Sequence, residues 1–256
     1  MRYYMNYKQF FLGLIALSLV ACKKDYHLDK IEGKRLEIND SLVSDEDLDA
    51  FIKPFREHVN SDLDSVIAYA VDTYTKNDGD LNTAIGNFLA DAVLEQANPI
   101  YQSRTGNSIN MVLLNHGGIR AIISKGNLTT RTAFEVMPFE NTIVVVEMKG
   151  KLIKDGLIRY LQKAKRAHPI SNLKVVLNDK DSIVETSING MSIKDEQTYH
   201  VATIDYVYYG GDRMHFFKKG DSLHVLEYKL RNALIDKLKK MDTIRPVIDD
   251  RFIKIN

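Results

Sequence analysis

Only one cysteine, Cys22, occurs among the 256 residues. No disulfide can therefore form within the chain, even in a compartment that permits one. Tryptophan is absent, and no functional meaning attaches to that. No charge sign dominates either: 35 Lys and Arg stand against 34 Asp and Glu, for a formal net charge of +1. A nucleic-acid partner selects a concentrated basic face, so no nucleic acid is expected. Internal repeats, low-complexity tracts and linkers rich in proline, glycine or serine are also missing. The chain carries no His-Glu-x-x-His, no Gly-x-Ser-x-Gly elbow and no phosphate-binding P-loop.

The first 22 residues have a different character from the rest. Arg2 and Lys8 precede an apolar run from Phe10 to Val20, too short for a permanent membrane span but of signal-peptide length. Leu19-Val20-Ala21-Cys22 reads as a bacterial lipobox, with Cys22 as the lipidated residue. Acyl chains contribute about 0.8 kcal/mol per buried methylene, so several would hold the protein on a membrane. These features predict a membrane-anchored lipoprotein of the bacterial cell envelope, periplasmic or surface-exposed. Residues 1–22 are expected to be the signal peptide and 23–35 a polar tether.

Residues 36–256 read as one α/β domain. A capping box at Ser44 and Asp47 opens a helix whose apolar residues run from Leu48 to Leu63, with Pro54 expected to kink or divide it. Strands are expected at Val66–Val71, Met111–Leu114, Thr142–Met148, Leu173–Leu177, Ile183–Ile188 and Tyr199–Ile204. Helical spacing marks Thr83–Ala97, Leu152–Lys165 and Val225–Lys240. Asn189-Gly190 is a hairpin signal, and Arg251–Ile255 is placed at a sheet edge. Helices interleave with strands and hairpins occur, so the sheets should be mixed, with packed helices.

Three strand-end stretches concentrate the unusual residues: Leu114–Arg120, Met137–Asn141 and Asp205–Asp212. They offer aromatic rings for a base, an acid for ribose hydroxyls and an arginine for phosphate. Together with Gly86-Asn87-Phe88-Leu89-Ala90-Asp91-Ala92 and Tyr199-His200-Val201-Ala202-Thr203, they occur in a familiar order. From about residue 60 to 217 the chain resembles the C-terminal, substrate-binding domain of the 5'-nucleotidase family.

That resemblance implies that Phe139 and Tyr206 sandwich a base and that Arg120 contacts phosphate. It makes Asn115 and Asp212 polar contacts to the nucleoside, with Asp212 on the ribose. Gly118, with Gly117, Gly210 and Gly211, shapes the loops, while Gly86, Asn87 and Asp91 are structural. One departure weakens the expected phosphate grip: Gly79-Asp80-Leu81-Asn82 stands where the family has an arginine. Arg213 follows Asp212 in place of a glycine and could replace part of that charge.

The family's catalytic half is a metallophosphoesterase domain holding two divalent metals, for which this chain has no room. Asp25-Tyr26-His27 spells Asp-x-His but lies in the tether, and the other histidines are scattered. No catalytic residue, metal or cofactor is therefore expected here. The resemblance implies the nucleotide-recognising half of a nucleotide phosphohydrolase, inactive alone and working with a separate metallophosphoesterase. The alternative is an envelope lipoprotein that binds nucleotides or nucleosides without any catalytic role.

Overall fold

The computed structural model describes residues 7–20, 27–39 and 41–255. It divides the chain into two units, Met1–Phe51 and Ile52–Asn256. In the first unit the apolar run is helical as α1 (Tyr7–Val20). Among the described residues no helix is long and apolar enough to cross a membrane. Cys22 lies outside the described residues.

Helix α2 (Glu46–Leu63) begins at Asp45 rather than Ser44, since Leu48 N–H donates to Asp45 Oδ1 at 3.0 Å. Aspartate accepts this bond as well as serine does. Pro54 does not divide the helix. Its ring fixes φ near the helical value, and α2 buries no residue, so little packing opposes the lost backbone bond.

Beyond α2 the chain alternates as the apolar patterning predicts. After β1 (Val66–Ala70) comes α3 (Ala84–Thr105), capped by Thr83, whose hydroxyl accepts from Gly86 N–H at 3.2 Å. This helix runs past Pro99, beyond the predicted end at Ala97. Its buried Ile85, Phe88, Leu89 and Val93 each contribute about 1.5–3 kcal/mol. Three elements follow: β2 (Met111–Leu113), β3 (Gly126–Thr129) and α4 (Thr130–Val136). The last two had no signal in the sequence reading. Strand β4 (Thr142–Lys149) leads into a helix that changes pitch. It comprises α5 (Gly150–Leu152), a π-helical stretch Ile153–Ile158 and α6 (Arg159–Ala164).

Five short strands come next: β5 (Ile170–Ser171), β6 (Leu173–Leu177), β7 (Ile183–Ile188), β8 (Met191–Ser192) and β9 (Thr198–Ile204). The turn between β7 and β8 is Asn189-Gly190, with φ of 51° and 72°, as the hairpin signal requires. Helix α7 (Asp205–Tyr208) follows β9.

The predicted helix Val225–Lys240 is two elements: strand β10 (Ser222–Lys229) and helix α8 (Leu230–Lys239). Residues Ser222–Val225 pair with Val144–Glu147, and the register breaks before Lys229, where Glu227 has φ 54°. That bulge disrupts the two-residue alternation and makes the strand look helical. The chain ends with β11 (Thr243–Ile244) and β12 (Phe252–Lys254), the latter pairing with β6 at a sheet edge.

Three sheets result, with orders β11-β1-β3, β10-β4-β9-β2-β5 and β12-β6-β7-β8, each mixing parallel and antiparallel pairs. The fold is α/β with mixed sheets and packed helices. Helix α3 packs on α8 and on strands β2, β5 and β10 of the five-stranded sheet.

The residues read as structural carry structure. Asp91 holds Arg251 and accepts from Ser171 Oγ at 2.6 Å. Asn87 donates to Asn82 Oδ1 at 2.8 Å, and Asn82 donates to the Phe252 carbonyl at 2.9 Å.

Candidate nucleotide site

Strand direction decides where the three unusual stretches meet. Strands β4, β9 and β2 are neighbours in the five-stranded sheet. β2 runs parallel to β9, so both end at the same edge, and β4 runs antiparallel, so it begins there. Leu114–Arg120, Asp205–Asp212 and Met137–Asn141 therefore emerge side by side.

They enclose a cleft of about 380 Å³ lined by Asn115, Gly117, Gly118, Arg120, Phe139, Asn141, Tyr206 and Asp212. All six of the predicted binding residues face it. Phe139 is 42% and Tyr206 48% exposed, so neither ring is a core residue, and both are free to stack on a flat ligand. The Tyr206 ring lies against Gly211, where any side chain would run into it.

Asn115 is only 7% exposed. It precedes the short helical turn His116–Gly118 without capping it, and its side-chain amide bonds no protein group among the described residues. Its oxygen instead sits beside Gly118, 3.1 Å from where a Cβ would stand. The amide is therefore open to the cleft and to any group that occupies it.

Arg120 reaches the rim of the cleft. Its Nη1 donates a long 3.5 Å bond to the Gly117 carbonyl, and its Cζ stands 5.8 Å from the Phe139 ring centre. It forms no ion pair among the described residues. Asp212 turns its carboxylate toward Gly117, with Oδ2 3.7 Å from the position of a Cβ there.

Two supporting networks carry no motif and escaped the sequence reading. Arg231, 6% exposed on α8, lies over the Phe134 ring at 3.9 Å and pairs with Glu140. It also donates to the Met137 and Pro138 carbonyls at 3.4 and 3.3 Å. The pairing holds the Glu140 carboxyl below the usual carboxylate range. Together these bonds clamp the loop that carries Phe139.

The second network joins the other two loops. His116 N–H donates to His168 Nδ1 at 3.2 Å, His168 Nε2 meets Tyr160 Oη at 3.5 Å, and Tyr160 O–H donates to the Asp212 carbonyl at 2.9 Å. Burial pushes the His168 imidazole down to about 4, against the opposing influence of the Leu114 carbonyl and Asp212. The same burial raises the Tyr160 hydroxyl, which stays a donor. His116 itself packs as a loop residue, its Nδ1 3.1 Å from the Ala167 carbonyl.

Asn141 was visible in the sequence within its Pro-Phe-x-Asn stretch. Arg213 does not face this cleft; it lines an adjoining cavity. Among the described residues no group of three or more His, Cys, Asp or Glu side chains could hold a metal ion.

Comparison with known proteins bears on this geometry. The chain is 32% identical over 190 residues to the trifunctional nucleotide phosphoesterase protein YfkN of Bacillus subtilis, covering 68% of this chain and 12% of that one. It is 27% identical to a snake venom 5'-nucleotidase of Macrovipera lebetinus, covering 65% and 46%. The chain thus spans less than half the length of these relatives. The crystal structure of a 5'-nucleotidase precursor from Thermus thermophilus superposes with a TM-score of 0.66 at 24% identity, covering 82% of this chain and 43% of that one. Residues 65–219, which include all eight residues of the cleft, match the family model for the 5'-nucleotidase C-terminal domain, and the chain belongs to that family.

Proposed function

We propose that this chain supplies the nucleotide-recognising half of a 5'-nucleotidase, and that a separate metallophosphoesterase supplies the metals and the attacking water. The carrying observation is the cleft itself, in which two half-exposed aromatic rings face an amide open to the cleft, an arginine with no ion pair among the described residues and a carboxylate. In this reading Phe139 and Tyr206 sandwich the base, a contact that contributes about 1–3 kcal/mol per base with little preference among bases. Asp212 accepts from a ribose hydroxyl, Asn115 bonds the nucleoside, and Arg120 pairs with the phosphate. Gly118 lets the ligand approach the loop backbone closely.

The reading includes the chain's location. Lipidation at Cys22 would anchor it to a membrane of the bacterial cell envelope, with residues 23–35 as tether and the nucleotide-binding part spanning 36–256.

Calorimetric titration of the detergent-solubilised full chain with adenosine and AMP tests the site. The expected result is binding of both, tighter for AMP, and loss of both in the Phe139→Ala, Tyr206→Ala double variant. A folded protein that gives no heat with either ligand would sink the reading. Phosphate release from AMP only after addition of a metallophosphoesterase would support the divided enzyme. Strong binding with no such release would favour a binding lipoprotein.

A further inference from the structure

A second cavity of about 370 Å³ adjoins the nucleotide cleft, lined by Tyr160, Ala164, Arg166, His168, Asp212 and Arg213. Asp212 alone is shared by the two. Its two ends serve different sides: the carboxylate lies toward Gly117 in the first cleft, while the carbonyl accepts from Tyr160 in the second.

What remains to face the second cavity is almost entirely hydrogen-bond donors. Arg166 and Arg213 each bring a guanidinium, and neither forms an ion pair among the described residues. Both lie close enough to Tyr160 for their charge to act on its hydroxyl, against the larger opposing influence of the Asp212 carboxylate. The floor is His168, 2% exposed. Because its Nδ1 accepts from the His116 amide, the neutral ring must carry its proton on Nε2. That N–H makes a long 3.5 Å contact with Tyr160.

The backbone here is held under strain. Asp212 and Arg213 have φ of 50° and 63°, two successive non-glycine residues in the left-handed region. Such conformations cost about 1–3 kcal/mol each and persist where the surroundings enforce them. Here the Tyr160 bond to the Asp212 carbonyl helps to enforce the first. The consequence is that consecutive side chains serve adjacent cavities.

We propose that this second cavity is an oxyanion subsite, holding a phosphate group between Arg166 and Arg213 with His168 Nε2–H beneath it. The phosphate could be carried on the ribose of a nucleotide lying in the main cleft, or arrive as free inorganic phosphate. The first source rests on the nucleotide reading of the main cleft, and the second does not. Two guanidinium forks and a neutral imidazole donor match the acceptor-only surface of phosphate.

The test is calorimetry on the full chain in detergent at low ionic strength. The probes are inorganic phosphate, adenosine, AMP and adenosine 3',5'-bisphosphate. The proteins are the wild type, an Arg166→Gln, Arg213→Gln double variant, and the Phe139→Ala, Tyr206→Ala variant. We expect the bisphosphate to bind the wild type at least tenfold more tightly than AMP. The arginine variant should lose that advantage while binding adenosine as before, which also shows that it is folded. Inorganic phosphate bound by the wild type and the aromatic variant, but not by the arginine variant, would establish the free anion as occupant. It would do so even if the nucleotide reading failed. The proposal is overturned if inorganic phosphate gives no heat and the bisphosphate binds no better than AMP. It is equally overturned if the arginine variant keeps wild-type affinity for both.

Discussion

Asn115 and Arg231 are both buried polar side chains, and they should respond to replacement in opposite ways. Asn115 offers its amide to the cleft and to no protein group among the described residues, so Asn115→Ala removes nothing that the fold uses. Its unfolding free energy in urea should stay within about 1 kcal/mol of wild type, because the change breaks no hydrogen bond within the protein. Adenosine affinity should fall about tenfold in the same protein. A large loss of stability would instead make Asn115 a structural loop residue. Arg231 is tied to Glu140, two carbonyls and the Phe134 ring. Arg231→Leu should cost about 2–4 kcal/mol on urea unfolding and loosen Phe139. Since Glu140 is exposed, Glu140→Gln should cost far less than Arg231→Leu. Equal losses from the two changes would show that the clamp resides in the ion pair and not in the carbonyl and ring contacts.

The loops answer to pH through His168. Its folded value, about 4, lies below the ordinary 6.5, so between those values the unfolded chain binds the extra proton. Stability is therefore full above pH 6.5 and falls as pH drops toward 4, by up to about 3 kcal/mol. Below about 4 this contribution levels off. Urea midpoints from pH 7.5 to 4 should show the slope, and His168→Gln should flatten it; an unchanged slope would mean that other groups cause it. The segments that the sequence disclosed were those with a single uninterrupted pattern, such as β4, β6, β7 and the Asn189-Gly190 turn. Legibility failed where geometry changes within an element. The bulge at Glu227 made β10 look like the start of α8. The π-helical residues Ile153–Ile158, which precede Tyr160, leave helical spacing almost intact and cannot be read from it. The strands β5 and β11 have two residues each, too few to show any period. Within the cleft, residues displayed by glycine- and proline-marked loops were legible. Arg231, Tyr160 and His168 were not, because their roles come from partners distant in sequence.

The proposed anchoring would be a property of the entire molecule, and it would turn on one sulfur. If Cys22 receives lipid, Cys22→Ser should abolish incorporation of labelled fatty acid and move the protein from the membrane to the soluble fraction. Retention of label in the variant would place any acylation elsewhere. Confinement to a surface would also raise the encounter rate with a second enzyme held on the same surface, as tethering raises effective concentration.

The meeting of β2, β4 and β9 at one sheet edge has a topological consequence. The exposed Asn189-Gly190 turn lies between the residues of the cleft: Asn115, Arg120 and Phe139 precede it, while Tyr206 and Asp212 follow. A chain opened at that turn would leave half a cleft on each piece, restored when β9 zips onto β4 along their seven-pair register from Ile143–Ile204 to Lys149–Thr198 and onto β2 on its other side. A ligand that needs both rings would then act as glue between fragments, its occupancy a direct readout of reassembly.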